Sequence, residues 1–219
     1  MKTLSELAKS RITIISGPYG AGKTNIAVNL ALSLAAQGRE CRLADLDIVN
    51  PYFRSADNRV LLEGSGVETL IPEFANTNVD IPALPANYNR LFTGTGHSVA
   101  DVGGDPDGAA VLGLSHDEYI AAGYTMYFVY NRYRPLTALP EDALAMLRDI
   151  ERVSGLRFDG IINNSNLGAE TDAAAVLSSA EYARRFADAA GLPLVATTAC
   201  IETGDNAVIR ISNITKQLF

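Results

Sequence analysis

Gly17-Pro18-Tyr19-Gly20-Ala21-Gly22-Lys23-Thr24 meets the phosphate-loop pattern G-x-x-x-x-G-K-[ST] at every fixed position. Before it, Ile12-Thr13-Ile14-Ile15-Ser16 is β-branched and apolar enough for a buried parallel strand. After it, Asn25 to Gly38 predicts a helix with Ile26, Leu30 and Leu34 on one stripe. Strand, loop and helix together supply the context that the motif needs. Glycines let successive backbone N–H groups turn inward on a phosphate, and the following helix adds unpaired N–H groups and the positive end of its dipole. In this pattern Lys23 reaches the β and γ phosphates, and the Thr24 hydroxyl completes a Mg2+ shell. Gly17, Gly20, Ala21, Gly22, Lys23, Thr24 and Asn25 are the candidate nucleotide-binding residues, and a nucleoside triphosphate with Mg2+ is the expected ligand. A chance glycine-rich turn with a surface lysine would not need the flanking strand and helix.

The remainder of the chain narrows the class. Its 219 residues, 47% hydrophobic and 20% charged, suit one nucleotide-binding domain over residues 1–219. A net charge of −7 and the lack of any run of Lys or Arg disfavour a nucleic-acid partner. Cys41 and Cys200 stand far apart, without the close spacing of a zinc or iron–sulfur site, and both are expected as buried, reduced thiols. Met1 to Ser10 lacks the apolar stretch of a secretory signal, and no segment approaches the ~18 apolar residues of a membrane span. Membrane association is therefore disfavoured and a cytoplasmic location expected.

Strands and helices alternate from end to end. Met1 to Arg11 predicts a short helix using Leu4 and Leu7, and Cys41-Arg42-Leu43-Ala44 a second strand leading into Asp45-Leu46-Asp47. Asp57 to Gly66 reads as a short helix and Val67 to Pro72 as a third strand. Pro72 to Gly96 is an irregular excursion with a short helix near Ala86 to Leu91. Further strands are expected at His97 to Gly104, Tyr124 to Tyr130, Phe158 to Asn163 and Leu192 to Thr197. Helices are expected from near Gly108, at Glu141 to Val153, at Asp172 to Ala190 and at Asn206 to Phe219. The pattern implies an α/β fold, a mainly parallel β-sheet with helices on both faces, of the P-loop NTPase kind.

Three aspartates are placed for metal or water. Asp45 and Asp47 stand at the carboxyl end of a strand, the edge where open α/β sheets bind ligands. Turn-forming aspartates are common at strand ends, but the position directly after the phosphate-loop helix favours a ligand role. Asp101 ends a hydrophobic strand within Asp101-Val102-Gly103-Gly104, which suits the Mg2+-holding carboxylate of a P-loop protein followed by a glycine that moves with the γ-phosphate. Asp105 and Asp107 are read equally as helix caps or as switch residues. Arg132 and Arg134, after the Tyr124 to Tyr130 strand, emerge on the ligand edge, where they would contact phosphate, substrate or partner or simply face solvent.

Gly22-Lys23-Thr24-Asn25-Ile26-Ala27-Val28-Asn29-Leu30-Ala31, then Leu43-Ala44-Asp45-Leu46-Asp47 and Pro51, is similar to the MinD/ParA group of P-loop ATPases, in one superclass with nitrogenase iron protein and the arsenite-pump and tail-anchored-protein ATPases. The resemblance is densest from Ile12 to Phe53 and weaker through Asp101-Val102-Gly103-Gly104 and the last two strands. It implies that Asp47 positions or activates the attacking water, that Asp45 supports the metal or the neighbouring switch, and that Asp101 serves Mg2+. It also implies adenine reading by Asn163 or Asn164. The lack of an N-K-x-D or T-K-x-D guanine signature there favours ATP over GTP.

One departure bears on catalysis and assembly. The group's signature lysine, second in the loop and able to reach a partner subunit's phosphates in a homodimer, falls on Pro18. Either hydrolysis is slow, or a cation such as Arg54, Arg132 or Arg134 substitutes, or a protein partner supplies the charge. The resulting expectation is a Mg2+-dependent ATP switch acting on a protein partner. Two alternatives remain: a P-loop ligase or kinase resembling dethiobiotin synthetase or the cobyrinate amidases, which also lack that lysine, and a nucleotide sensor that does not hydrolyse.

Overall fold

In a computed structural model of the chain, residues 3–47, 58–71, 84–104 and 106–214 are described. The apolar run Ile12–Ser16 forms strand β1, buried at every residue, and Lys23–Ala35 forms helix α1 directly after the phosphate loop. Strand β2 (Cys41–Leu46), helix α2 (Arg59–Gly64) and strand β3 (Val67–Leu70) follow. Strand β4 (His97–Val102) leads to helices α3 (Pro106–Gly113) and α4 (His116–Ala122), then to strand β5 (Tyr124–Tyr130). Helix α5 (Pro140–Ser154), strand β6 (Gly160–Asn163), helix α6 (Ala173–Ala190) and strands β7 (Leu194–Ala199) and β8 (Val208–Arg210) complete the described order.

The eight strands form one sheet in the order β3-β2-β4-β1-β5-β6-β7-β8, and every pairing is parallel. Parallel strands must be joined by crossovers, so helices cover both faces. On one face Ile26, Leu30 and Leu34 of α1, with Leu62 of α2 and Leu4 and Leu7 of an N-terminal 3-10 turn, share a core with Ile15, Leu43, Val99 and Val129. On the other, Leu112, Tyr119, Leu147 and Phe186 from α3 to α6 pack with Ile14, Ala100, Phe128 and Tyr130. β1 lies between β4 and β5, beside the point where the strand order changes direction, and such points are where open α/β sheets bind ligands. The loops after β1, β4 and β5 therefore open onto one crevice.

Several boundaries differ from the sequence expectation. In place of the helix expected over Asn206 to Phe219, Val208–Arg210 forms strand β8, paired with β7 in the register Thr197↔Val208, and the other described residues of that range are turn or irregular. Val208 and Ile209 are β-branched, and backbone pairing to an otherwise open sheet edge outweighs a weak helical stripe; residues 215–219 lie outside the described residues. A separate helix, α4, stands between α3 and β5, where no second helix was expected. The short helix near Ala86 to Leu91 is a 3-10 turn at Tyr88–Leu91, and residues 72–83 of that excursion lie outside the described residues. Cys41 is buried as expected, with its thiol pushed up to about 12 by burial, but Cys200 is exposed at the end of β7.

Candidate nucleotide site

The phosphate loop is held at several points along its backbone. Gly22 stands at the N-cap of α1 with φ 89°, a left-handed conformation that L side chains rarely adopt. The carbonyl of Ala21 accepts from the side-chain amide of Asn164 at 2.8 Å, and the carbonyl of Gly20 accepts from Nε of Arg134 at 2.9 Å. Lys23 is 6% exposed and its Nζ donates to the Pro18 carbonyl at 3.3 Å, so the ammonium folds back over the loop it belongs to. Lys23 is the first residue of α1, whose Ile26 and Leu30 pack into the core on that face of the sheet.

Asp45 and Asp101 face one another in the register of β2 and β4, and Ile15 of β1 is level with Asp101. Their exposures are 2% and 0%, so two carboxylates are gathered in a dry place two residues before the phosphate loop begins. The Asp47 amide donates to Oδ1 of Asp45 at 3.2 Å, which ties the end of β2 to the same pair. Thr24, also buried, lies in the first turn of α1. These are hard oxygen donors of the kind Mg2+ takes, and Mg2+ commonly uses one or two carboxylates with substrate phosphates for the rest of its shell. Among the described residues no group of three or more His, Cys, Asp and Glu forms a metal centre by itself.

The segment leaving β4 is wedged between loop and acid. A Cβ built on Gly104 would stand 2.6 Å from Nζ of Lys23 and 2.7 Å from both the Gly17 carbonyl and the Tyr19 amide nitrogen. One on Gly103 would stand 3.2 Å from Oδ1 of Asp47 and 2.8 Å from Cα of Gly108. Only glycines allow this approach, and the adjacent pair puts Gly104 against Lys23 and Gly103 against Asp47 and Gly108 of α3. Asp107 is exposed in the first turn of α3, and Asp105 lies outside the described residues.

The asparagines at the end of β6 have separate tasks in the structure. Asn163 is fully buried; its Nδ2 donates to Ser179 Oγ at 2.9 Å, and its Oδ1 accepts from Ser165 Oγ at 2.7 Å and from the Ser165 amide at 3.2 Å. Asn164 spans from Ala21 to Thr198, whose hydroxyl donates to Oδ1 of Asn164 at 2.8 Å. Asn25 lies in the first turn of α1, where Nδ2 meets Sγ of Cys200 at 3.5 Å and Oδ1 accepts from the Ile214 amide at 2.9 Å. Arg132 places its guanidinium 3.4 Å from the ring centroid of Tyr182, a cation–π contact. Arg54 lies outside the described residues.

Sequence reading did not mark Asn131. It is fully buried at the end of β5, where Oδ1 accepts from the amides of Tyr133 (3.0 Å) and Asn166 (3.3 Å), and Nδ2 donates to the Asn166 carbonyl at 3.2 Å. Its carbonyl accepts from the Arg134 amide and from the Thr137 hydroxyl. Asn131 thus shapes both the loop carrying Arg134 and the loop after β6. The available signal was a polar residue closing an otherwise apolar strand.

No family model matches the chain. A match to the cytosolic Fe-S cluster assembly factor CFD1 of Yarrowia lipolytica is 34% identical over 95 residues, 42% of this chain and 31% of that protein. A match to the antiactivator FleN of Pseudomonas aeruginosa is 28% identical over 177 residues, 69% of this chain and 60% of that protein. The chain thus spans less than two thirds of either relative. Both are P-loop ATPases of the MinD/ParA type. Among solved structures, the cell division protein FtsY of Thermotoga maritima superimposes with TM-score 0.56 at 16% identity, covering 92% of this chain and 69% of that one. The signal recognition particle 54 kDa protein of Aeropyrum pernix, in complex with GDP, gives TM-score 0.54 at 16% identity over 89% of this chain and 46% of that one. At such identities these two likenesses speak for the fold alone.

Proposed function

Taking the chain as a P-loop protein of the MinD/ParA type, we propose that it is a Mg2+-dependent ATP switch, with residues 1–219 as its nucleotide-binding domain, coupling ATP binding and hydrolysis to a protein partner in the cytoplasm. The observation that carries this reading is the wedge of Gly103 and Gly104 between Lys23 and Asp47. A terminal phosphate drawn to Lys23 meets Gly104 directly, and any shift of Gly104 is passed to Asp47 and α3. Mg2+, when bound, neutralises phosphate charge; Thr24, Asp45 and Asp101 are the side chains that would hold it. Gly17, Gly20, Ala21, Gly22, Lys23 and Thr24 cradle the phosphates, and Asp47 orients the attacking water. Asn25, Asn163 and Asn164 support the base side of the site, and ATP is preferred because no guanine signature follows β6. Support for a protein partner comes from the relatives, one named an antiactivator and the other a cytosolic assembly factor.

Binding and hydrolysis of ATP and GTP by the wild type, Lys23→Ala and Asp47→Ala test this. Expected are MgATP binding tighter than MgGTP, binding lost in Lys23→Ala, and the chemical step lost with binding kept in Asp47→Ala. Hydrogen exchange over residues 103–113 should slow with a non-hydrolysable ATP analogue more than with ADP; equal protection would sink the switch. Strong stimulation by one small carboxylic acid would point to the ligase or kinase reading, and binding with no chemical step in the wild type to a sensor.

A further inference from the structure

The second position of the phosphate loop is Pro18, which brings no charge to the phosphates, yet a guanidinium lies on the same loop from another quarter. Nε of Arg134 donates to the Gly20 carbonyl at 2.9 Å, and a Cβ on Gly20 would stand 3.1 Å from that Nε and 3.4 Å from Cζ. Arg134 is half-buried, and among the described residues it makes no ion pair, although the chain carries 25 Asp and Glu against 18 Lys and Arg. Other arginines of this acidic chain do find carboxylates: Arg42 on Glu68, and Arg148 and Arg157 on Glu151. A partly desolvated cation with no counter-ion among the described residues, resting on a phosphate-binding loop, has its electrostatic complement in a bound anion.

Its neighbour is differently engaged. Arg132 lies over the Tyr182 ring, two residues before Arg134 in the loop that Asn131 fixes through Arg134 N, Thr137 Oγ1 and Tyr133 N. That fixed loop presents Arg134, not Arg132, to Gly20. The acids and Arg134 also fall on opposite sides of β1, Asp45 and Asp101 towards β4 and Arg134 at the exit of β5. We propose that Arg134 is a phosphate-binding residue acting within its own chain: its guanidinium, steered by the bond from Nε to Gly20, contacts the polyphosphate of the bound nucleotide on the β5 side and supplies charge that Pro18 does not. This rests on the nucleotide reading given above.

The test compares Arg134→Lys, which keeps the charge, with Arg134→Gln, which keeps a donor for the Gly20 carbonyl but loses the charge. Affinities for MgATP and MgADP are measured calorimetrically at low and high salt, with circular dichroism to verify folding. Arg134→Gln should weaken MgATP about tenfold, MgADP by less, and flatten the salt dependence, while Arg134→Lys stays within about threefold of wild type. Wild-type affinity in Arg134→Gln, or equal losses in both variants, would overturn the proposal and leave Arg134 as a brace of the loop. If the wild type prefers GTP, the adenine reading fails, and the same comparison with GTP and GDP still decides Arg134. Binding of no nucleotide by the wild type overturns both.

Discussion

The side-chain amide of Asn164 donates to the backbone carbonyl of Ala21 at 2.8 Å, so the end of β6 holds the phosphate loop that follows β1. The other end of the same amide is fixed by the Thr198 hydroxyl of β7, and Asn164 is 4% exposed. Removing it leaves the buried Ala21 carbonyl short of a partner, at a cost of about 1–3 kcal/mol, and leaves the Thr198 hydroxyl with only its longer bond to the Asn163 carbonyl at 3.4 Å. Asn164→Ala should lower the melting temperature and weaken nucleotide binding about tenfold by calorimetry. Thr198→Val, which removes the hydroxyl's bonds to Asn164 and Asn163 but leaves the bond to Ala21, should do less; an order reversed between the two would refute the bracing role.

Gly104 has no room for a side chain against Lys23, Gly17 and Tyr19. Gly104→Ala should weaken nucleotide binding more than tenfold by displacing the Lys23 ammonium or the loop backbone, because two of the three contacts are backbone atoms that cannot swing aside. Gly64 in α2 has nothing within 4 Å of its added Cβ, and there the same substitution should leave nucleotide affinity unchanged and stabilise the fold by about 0.5–1 kcal/mol. Titration of both variants with a fluorescent nucleotide, alongside denaturant melts, separates the two effects.

Asp101, level with Asp45 across the β2–β4 pair and wholly buried, is expected to govern how the nucleotide depends on Mg2+. Asn is close to Asp in shape but carries no charge. In the wild type, chelation of Mg2+ with EDTA should reduce ATP affinity; in Asp101→Asn the affinities with and without Mg2+ should converge. A variant that keeps the full Mg2+ response would remove Asp101 from the metal's shell.

His97 carries a pH dependence of the fold that is separate from the site. It is 5% exposed at the start of β4, with Nε2 3.0 Å from the Thr13 hydroxyl. Burial, with a smaller push from the Arg39 charge, lowers its pKa from 6.5 to about 4. Between those values the unfolded chain binds a proton that the native chain refuses, so stability is lost as pH falls from about 6.5 towards about 4. The loss attributable to His97 reaches about 2–3 kcal/mol. Urea melts at about pH 7 and about pH 4.5 should show that His97→Gln loses less stability on acidification than the wild type by roughly this amount.

Much of the fold was legible because its signals are local. Ile12 to Ser16, Tyr124 to Tyr130 and His97 to Val102 are apolar runs of strand length, and α5 and α6 end at Gly155 and Gly191, both at positive φ. β8 was not legible, since three residues at Val208–Arg210 hold strand conformation only through pairing with β7. The exposure of Cys200 likewise depends on how the segment after β7 leaves the sheet. Asn131 escaped notice because its role is spent on backbone groups of two loops, one of them 35 residues further on.

From its sequence alone the chain declares a phosphate loop between a buried strand and a helix, a parallel α/β order, and carboxylates at strand ends, because glycine spacing and hydrophobic period are properties of neighbours along the chain. Strand order and register are not. Folding alone sets Asp101 beside Asp45, brings Arg134 onto Gly20 across 114 residues and Asn164 onto Ala21 across 143, and presses Gly104 against Lys23. These meetings come from the crossovers that set β1 between β4 and β5 in the sheet, so the loop is written locally while the charges and braces around it are assembled at a distance.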